Sequence, residues 1–297
     1  IDEGQKVDNI GETLKLLVDH YKKNLQIIVT GSSAINLLTS TQEPLTGRKL
    51  VFNLYPFSIE ELYPDNNLLT HQKELALLLI YGSLPEVAIE KDMKYKERLL
   101  TELGSSYLFK DIYEFQLIRN PVMLTSLLKA LALQIGSEVS YNELSRTIGI
   151  DKNTIERYVD LLEKNYVIFR LTPYHSNKRR ELSKLKKIYF YDLGIRNTLI
   201  NNFNLLENRT DKGALWENYL IVERMKYRHY HQINANQYFW RTYEGAEVDL
   251  VEETAMALNG FEIKWGENKS KPPQSWLEYK NSSWKIINNK NLKGFVL

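Results

Sequence analysis

The apolar positions follow three successive regimes along the chain. Between residues 25 and 54 they form short runs bounded by turn residues. Leu25–Thr30 (LQIIVT) is rich in β-branched side chains and ends at Gly31, which predicts a buried strand feeding a turn and then a helix. Leu50–Leu54 predicts a second short strand. Pro56 follows it, and Ser58 with Glu61 stands at capping-box spacing for a short helix. From Leu69 to about Leu117 the spacing turns helical, with a break at Gly82-Ser83-Leu84-Pro85.

From Val122 to Leu171 the order changes. The pattern predicts a helix over Val122–Ile135, a second over Ser140–Thr147, a turn at Gly149, a third helix over Asn153–Lys164 and a strand over Tyr166–Leu171. Ser140 with Glu143, and Asp151 or Lys152 ahead of Thr154, place the helix starts. This helix–turn–helix–strand order predicts a winged helix, with Lys187–Tyr191 as the returning wing strand. Beyond Asn208 a helix over Leu215–Tyr227 leads into three successive strands, Tyr238–Arg241, Glu247–Val251 and Gly260–Trp265, an α/β pattern.

Composition narrows the function classes. A chain of 297 residues suggests two or three domains, and 43% hydrophobic with 26% charged residues excludes disorder for its bulk. The absence of Cys removes disulfides, thiol nucleophiles and cysteine zinc sites, and the five His show no H-x-x-x-H spacing. With 39 basic and 37 acidic residues the net charge is +2, so nucleic-acid binding has to rest on local patches. The longest apolar run, Leu75–Tyr81, is far short of the ~18 residues of a membrane span, and no signal peptide opens the chain. A cytoplasmic setting without membrane partners is the expectation, and the oligomeric state stays open.

The sharpest constellation lies near the C-terminus. Glu262-Ile263-Lys264 alternates on a predicted strand, so Glu262 and Lys264 share one face. The preceding strand holds Asp249 and the helix before it Glu217. Carboxylates are hard ligands that suit Mg²⁺ or Mn²⁺, and a nearby Lys stabilises charge at phosphorus. In this helix, strand, strand order, Glu217, Asp249 and Glu262-x-Lys264 resemble the PD-(D/E)xK nuclease-like superfamily. The resemblance implies a restriction-endonuclease-like domain in which Glu217, Asp249 and Glu262 hold metal and Lys264 assists catalysis. The bland alternative is a solvated strand face with a Glu–Lys pair.

The predicted winged helix adds a nucleic-acid reading. Its third helix offers Asn153, Arg157 and Lys164. Between the wing strands, Lys178 to Lys187 holds six basic residues against one Glu, among them Lys178, Arg179, Arg180 and Lys184. Such a cluster suits phosphate contacts with DNA, and the alternative is a solvated loop on a module that packs between domains.

Ile1-Asp2-Glu3, Thr30-Gly31-Ser32-Ser33, Leu45-Thr46-Gly47-Arg48, Tyr55-Pro56-Phe57-Ser58, Tyr81–Glu86, Lys110-Asp111-Ile112, Tyr189–Gly194, Trp216-Glu217-Asn218 and Gly245–Asp249 occur in one order. Together they resemble the AAA-type ATPase family that ends in a DUF4143 domain, over nearly the whole chain. The resemblance implies ATP and Mg²⁺ as cofactors of the intact architecture. Asp2 would serve Mg²⁺, Glu3 would orient the attacking water, Ser33 would sense the γ-phosphate and Arg48 would stabilise transferring charge. The sequence departs from the family in one respect: no Gly-Lys-Ser or Gly-Lys-Thr of a P-loop occurs in it. Because Ile1 stands in mid-strand, the reading favours a fragment over a degenerate member of the family.

The expected fold class is multidomain α/β. Residues 1–65 would be the C-terminal half of an ATPase core, 66–118 a helical lid, 119–191 the winged helix and 192–297 the nuclease-like DUF4143 domain. The leading function is an ATPase-family protein with a DNA-associated, nuclease-like tail. The alternative is a non-catalytic DNA- or protein-binding regulatory module in which both catalytic folds are vestigial, and a purely structural adaptor is a third.

Overall fold

The computed structural model describes residues 1–31, 45–64, 72–104, 120–175, 186–266 and 270–297. Helices α1 (Ile10–Tyr21), α2 (Ile59–Leu62), α3 (Gln72–Tyr81), α4 (Pro85–Ile89) and α5 (Met93–Glu102) precede the first strand, as does α6 (Pro121–Leu133). Then come β1 (Glu138–Val139), α7 (Tyr141–Ile148), α8 (Lys152–Lys164), β2 (Ile168–Pro173) and β3 (Lys186–Phe190). The last part holds α9 (Leu193–Leu199), α10 (Lys212–Tyr230), β4 (Asn236–Arg241), β5 (Glu247–Glu253), β6 (Leu258–Ile263), α11 (Gln274–Leu277), β7 (Ser282–Ile287) and α12 (Lys293–Val296).

Several elements start where local chemistry dictates. At α2 the Ser58 side chain accepts from the Glu61 N–H while Glu61 accepts from the Ser58 N–H, a complete capping box. Ser140 caps α7 and Asp151 caps α8, each accepting the amide three residues on. Gly149 ends α7 in the left-handed conformation at φ 81°, which glycine adopts without a Cβ penalty.

The strands form one mixed sheet in the order β1-β3-β2-β4-β5-β6-β7. β3 pairs antiparallel with both β1 and β2, and β4-β5-β6 is an antiparallel meander. Two parallel pairs complete the sheet: β6 with β7, and β2 with β4 through Thr172↔Tyr238 and Pro173↔Phe239. The β2–β4 pair makes the middle and last parts of the chain one continuous sheet. A single apolar cluster runs from Ile59 to Val296, with Leu128, Ile155, Phe190 and Trp216 all buried within it. The succession α6-α7-α8-β2-β3 follows the helices and strands that the sequence predicts for residues 122–191, and β1, paired with β3, is an addition to that prediction.

The N-terminal expectations hold less well. Residues 28–30 lie extended beside residues 1–4, joined by bonds from the Ile1 ammonium to Ile28 O, Thr30 N to Ile1 O and Gly4 N to Thr30 O at 2.8–2.9 Å. No regular strand forms over Leu25–Thr30, and it is not buried throughout: Ile27 and Val29 pack on Ile10, Leu14 and Leu45, but Leu25 and Ile28 are exposed. Helix α1 covers the face of Ile27 and Val29, and alternation sends Ile28 outward. Leu50–Leu54 forms no strand either. Leu50, Phe52 and Leu54 are 81–97% exposed. An apolar run becomes a strand only where a neighbouring backbone completes its hydrogen bonds, and no ladder partner faces 50–54 among the described residues.

Candidate functional site

Helix α10 positions the acidic cluster. Its Trp216 is fully buried and donates Nε1–H to the Lys264 carbonyl at 3.0 Å, pinning the end of β6 against the helix. Two residues on, the Asn218 amide bonds both ways with the Phe190 backbone, at 2.8 and 2.9 Å, and so locks β3 onto the same turn of the helix. Glu217 lies between these two anchors and faces the junction of β3, β5 and β6.

The predicted residues converge there. Lys264 Nζ lies 2.7 Å from Glu262 Oε1 and 3.9 Å from Asp249 Oδ2, so the two carboxylates share one side of the sheet. Asp249 Oδ2 also accepts the Ile263 N–H at 2.7 Å. Glu217 Oε1 accepts from Tyr189 OH at 2.7 Å and from Lys187 Nζ at 3.1 Å. Lys187 also pairs with Glu247.

One member of the cluster, Lys187, is absent from the sequence reading of it, and Glu247, which that reading sets on the strand of Asp249, joins as a fourth carboxylate. Lys187 reads in the sequence as one end of a basic wing loop, but the structure buries it to 2% exposure in β3. It belongs to the acidic cluster and leaves the basic patch. The signal for it is the alternation of β3, which puts Lys187 and Tyr189 on one face. Glu247 begins β5 two residues before Asp249 and shares its face by the same rule.

Electrostatics follow from four carboxylates crowded around two ammonium groups. Burial raises the Glu217 pKa, Lys187 opposes that shift and the Asp249 charge adds to it. Burial likewise raises Asp249 against the pull of Lys187 and Lys264, and burial followed by Asp249 raises Glu262. The surrounding carboxylates outweigh burial at Lys187 and Lys264 and hold both ammoniums charged above their ordinary range.

The donor chemistry suits a hard divalent ion, but the arrangement does not fit one. Lys187 or Lys264 lies against an oxygen of each carboxylate, and among the described residues no group of three or more His, Asp or Glu is set to hold a metal.

The other predicted residues fall in two places. Near the N-terminus, Asp2 accepts from the Thr30 hydroxyl and from the Glu3 N–H. These bonds, the hydroxyl first, hold its carboxyl below its ordinary value. Glu3 pairs with Lys6 at 3.5 Å. Arg48 Nε lies 2.8 Å from Asp19 on α1, an ion pair that engages the guanidinium on its own segment. Ser33 lies outside the described residues. In the middle part, Lys152, Asn153, Arg157 and Lys164 are all exposed on α8, whose other face buries Ile155, Tyr158, Val159, Leu161 and Leu162. Lys178, Arg179, Arg180 and Lys184 lie outside the described residues, as does Lys110-Asp111-Ile112. Among the described residues no helix is long and apolar enough to cross a membrane.

Comparison with known proteins places these parts. An AAA domain profile matches residues 1–63, a domain of unknown function (DUF8612) matches 72–206, and a second (DUF4143) matches 212–291. An uncharacterized protein of Mycobacterium tuberculosis is 25% identical over 266 residues, covering 89% of this chain and 58% of that protein. Uncharacterized proteins of Haemophilus influenzae and Methanocaldococcus jannaschii are 27% and 28% identical, covering 70% and 73% of this chain and 55% and 51% of their own lengths. The chain thus spans little more than half of the curated relatives it matches. No solved structure matches. By these matches the chain carries an AAA domain segment at its N-terminus and a DUF4143 domain in its C-terminal region, the architecture that its ordered short motifs resemble.

Proposed function

We propose that the chain is the DNA-associating part of an AAA-type ATPase-family protein, in which a winged helix is built onto a nuclease-like DUF4143 sheet. One observation carries this reading: α8 buries one face and offers Lys152, Asn153, Arg157 and Lys164 to solvent on the other. A helix of this kind places side chains in a major groove, while basic residues beside it neutralise phosphates. Lys178, Arg179, Arg180 and Lys184, which follow β2 in the sequence, are the cations proposed for that role.

Duplex binding followed by fluorescence anisotropy tests it. The chain should bind DNA with an affinity that falls steeply with salt. Replacing Lys178, Arg179 and Arg180 by Ala should weaken binding about tenfold or more at 0.1 M salt and flatten the salt slope by roughly 0.9 per lost phosphate contact. Arg157→Ala should weaken it further. Unchanged affinity in the fourfold variant would remove DNA from the reading and leave a protein partner.

ATP belongs to the family architecture, and Asp2, Glu3, Ser33 and Arg48 are the residues proposed to serve it. The amides and Lys of a P-loop cradle phosphates, and these 297 residues contain no such motif. Calorimetric titration of this chain with ATP and Mg²⁺ is therefore expected to give no micromolar binding. A Kd in that range would place the nucleotide elsewhere in the chain.

The convergence of Glu217, Asp249, Glu262 and Lys264 favours a second reading, metal-dependent strand cleavage. The engagement of these carboxylates by two lysines weighs against it, and no step through a metal is assigned.

A further inference from the structure

We propose that Lys187 is the resident cation of the acidic cluster: its ammonium holds the place that a divalent metal would take between the carboxylates of α10 and β5. The inference rests on reading the cluster as a nuclease-like site and is independent of DNA binding by α8.

Geometry carries the argument. Lys187 comes from β3, a strand of the middle part, and its side chain is 3% exposed. Its Nζ reaches Glu217 on the helix and Glu247 on β5 together. Tyr189, two residues along the same strand, donates to the oxygen of Glu217 that Lys187 touches. The ammonium lies over the Phe239 ring, with Nζ 5.6 Å from its centroid. The turn at Gly136, at φ 71°, passes close to the Glu217 carboxyl, and a Cβ there would stand 3.4 Å from it. The cation is therefore delivered by the sheet and closed in from the middle part of the chain.

Chemistry says what the arrangement does. Glu217, Asp249 and Glu262 are crowded together largely away from water, with Glu247 at their rim, and a cation must offset their repulsion for the sheet to form. Mg²⁺ or Mn²⁺ would do so, and so does a buried ammonium with several carboxylates around it. A lysine that occupies this place also keeps out a metal. Lys264, at 35% side-chain exposure, sits at the outer side of the cluster and leaves the inner position to Lys187.

The test uses the full chain and Mn²⁺ alone. Wild type at 5 mM Mn²⁺ should show no rise in Tm beyond that of Asp249→Asn. Lys187→Met keeps much of the apolar stem and removes the charge. It should gain an Mn²⁺-dependent rise of about 4 °C or more, because an ion that binds only the folded state stabilises it. Adding Asp249→Asn to Lys187→Met should abolish the gain. If Lys187→Met is unfolded without metal, recovery of its circular dichroism by Mn²⁺ supports the proposal equally. If metal does not recover it, Lys187→Met with Glu247→Gln, which relieves one charge, carries the same comparison. An Asp249-dependent Mn²⁺ response in wild type would overturn the proposal, as would a folded Lys187→Met variant without one. Failure of both Lys187 variants to fold with Mn²⁺ present would overturn it too.

Discussion

Replacing Gly194 by Ala is expected to destabilise the protein by roughly 3 kcal/mol, although helix propensity alone favours Ala by about 1 kcal/mol. Gly194 lies in α9, and a Cβ on it would stand 2.1 Å from the Tyr81 carbonyl oxygen, 2.6 Å from its carbon and 2.8 Å from Leu100 Cδ2. That carbonyl has no room to retreat. The Asn197 amide donates to the two carbonyls before it, Leu79 O at 3.0 Å and Ile80 O at 2.8 Å. The next residue, Gly82, turns at φ 72°, and a Cβ on it would stand 2.2 Å from Asp192 Oδ1. Asp192 in turn accepts the Ser83 N–H at 2.7 Å and the Ile195 N–H at 3.0 Å, capping α9. Relief of the clash therefore requires α3 and α9 to part. Urea unfolding should show a lowered midpoint at unchanged slope. A midpoint equal to or above that of wild type would show that the two helices part without cost.

The same contacts account for three of the family-like motifs. Tyr81–Glu86 and Tyr189–Gly194 are two halves of one junction, in which Gly82, Ser83, Asp192 and Gly194 touch. Trp216-Glu217-Asn218 fastens α10 to β6 and β3 on either side of Glu217. Much of what resembles a functional signature is the chemistry of close backbone approach, with Glu217 the exception.

Local signals are legible in the sequence because their causes are local. Ser58, Ser140 and Asp151 cap helices within three residues of themselves, and alternation is enough to set Glu262 and Lys264 on one side of the sheet, where the β5–β6 register adds Asp249. What the sequence does not disclose depends on distant partners. The pairing of Thr172 with Tyr238, which fuses two expected domains into one sheet, has no local signature. β7 begins Ser-Ser-Trp-Lys, is half-exposed at the sheet edge and lacks the apolar run that marks a strand. Helices α1 and α9 are likewise absent from the sequence reading. A charge run is ordinarily exposed, so Lys187 reads as part of a solvated basic loop. Only the carboxylates of α10 and β5 make its burial tolerable.

Glu223→Ala should lower stability by about 3–5 kcal/mol, the range for breaking a buried ion pair from one side. Glu223 and Lys226 are 2% and 1% exposed on α10, with Nζ 2.8 Å from Oε1. The other Glu223 oxygen accepts the Ile59 N–H at 2.7 Å, the first amide of α2, and Lys226 donates to Phe57 O at 2.9 Å. Removing the carboxylate leaves an ammonium without its counter-charge and an amide without its acceptor, both away from water. Glu223→Gln keeps an oxygen for Ile59 and removes only the charge, so it should cost less, about 1–3 kcal/mol. Pairing it with Lys226→Met removes the stranded ammonium as well. The double variant should then be more stable than the sum of its single variants predicts, with a coupling of about 1–3 kcal/mol between contacting groups. A coupling near zero would mean that the two charges act independently. A measurable one would show that the two buried charges act as a unit on α10, the helix that also holds Ile59 N and Phe57 O.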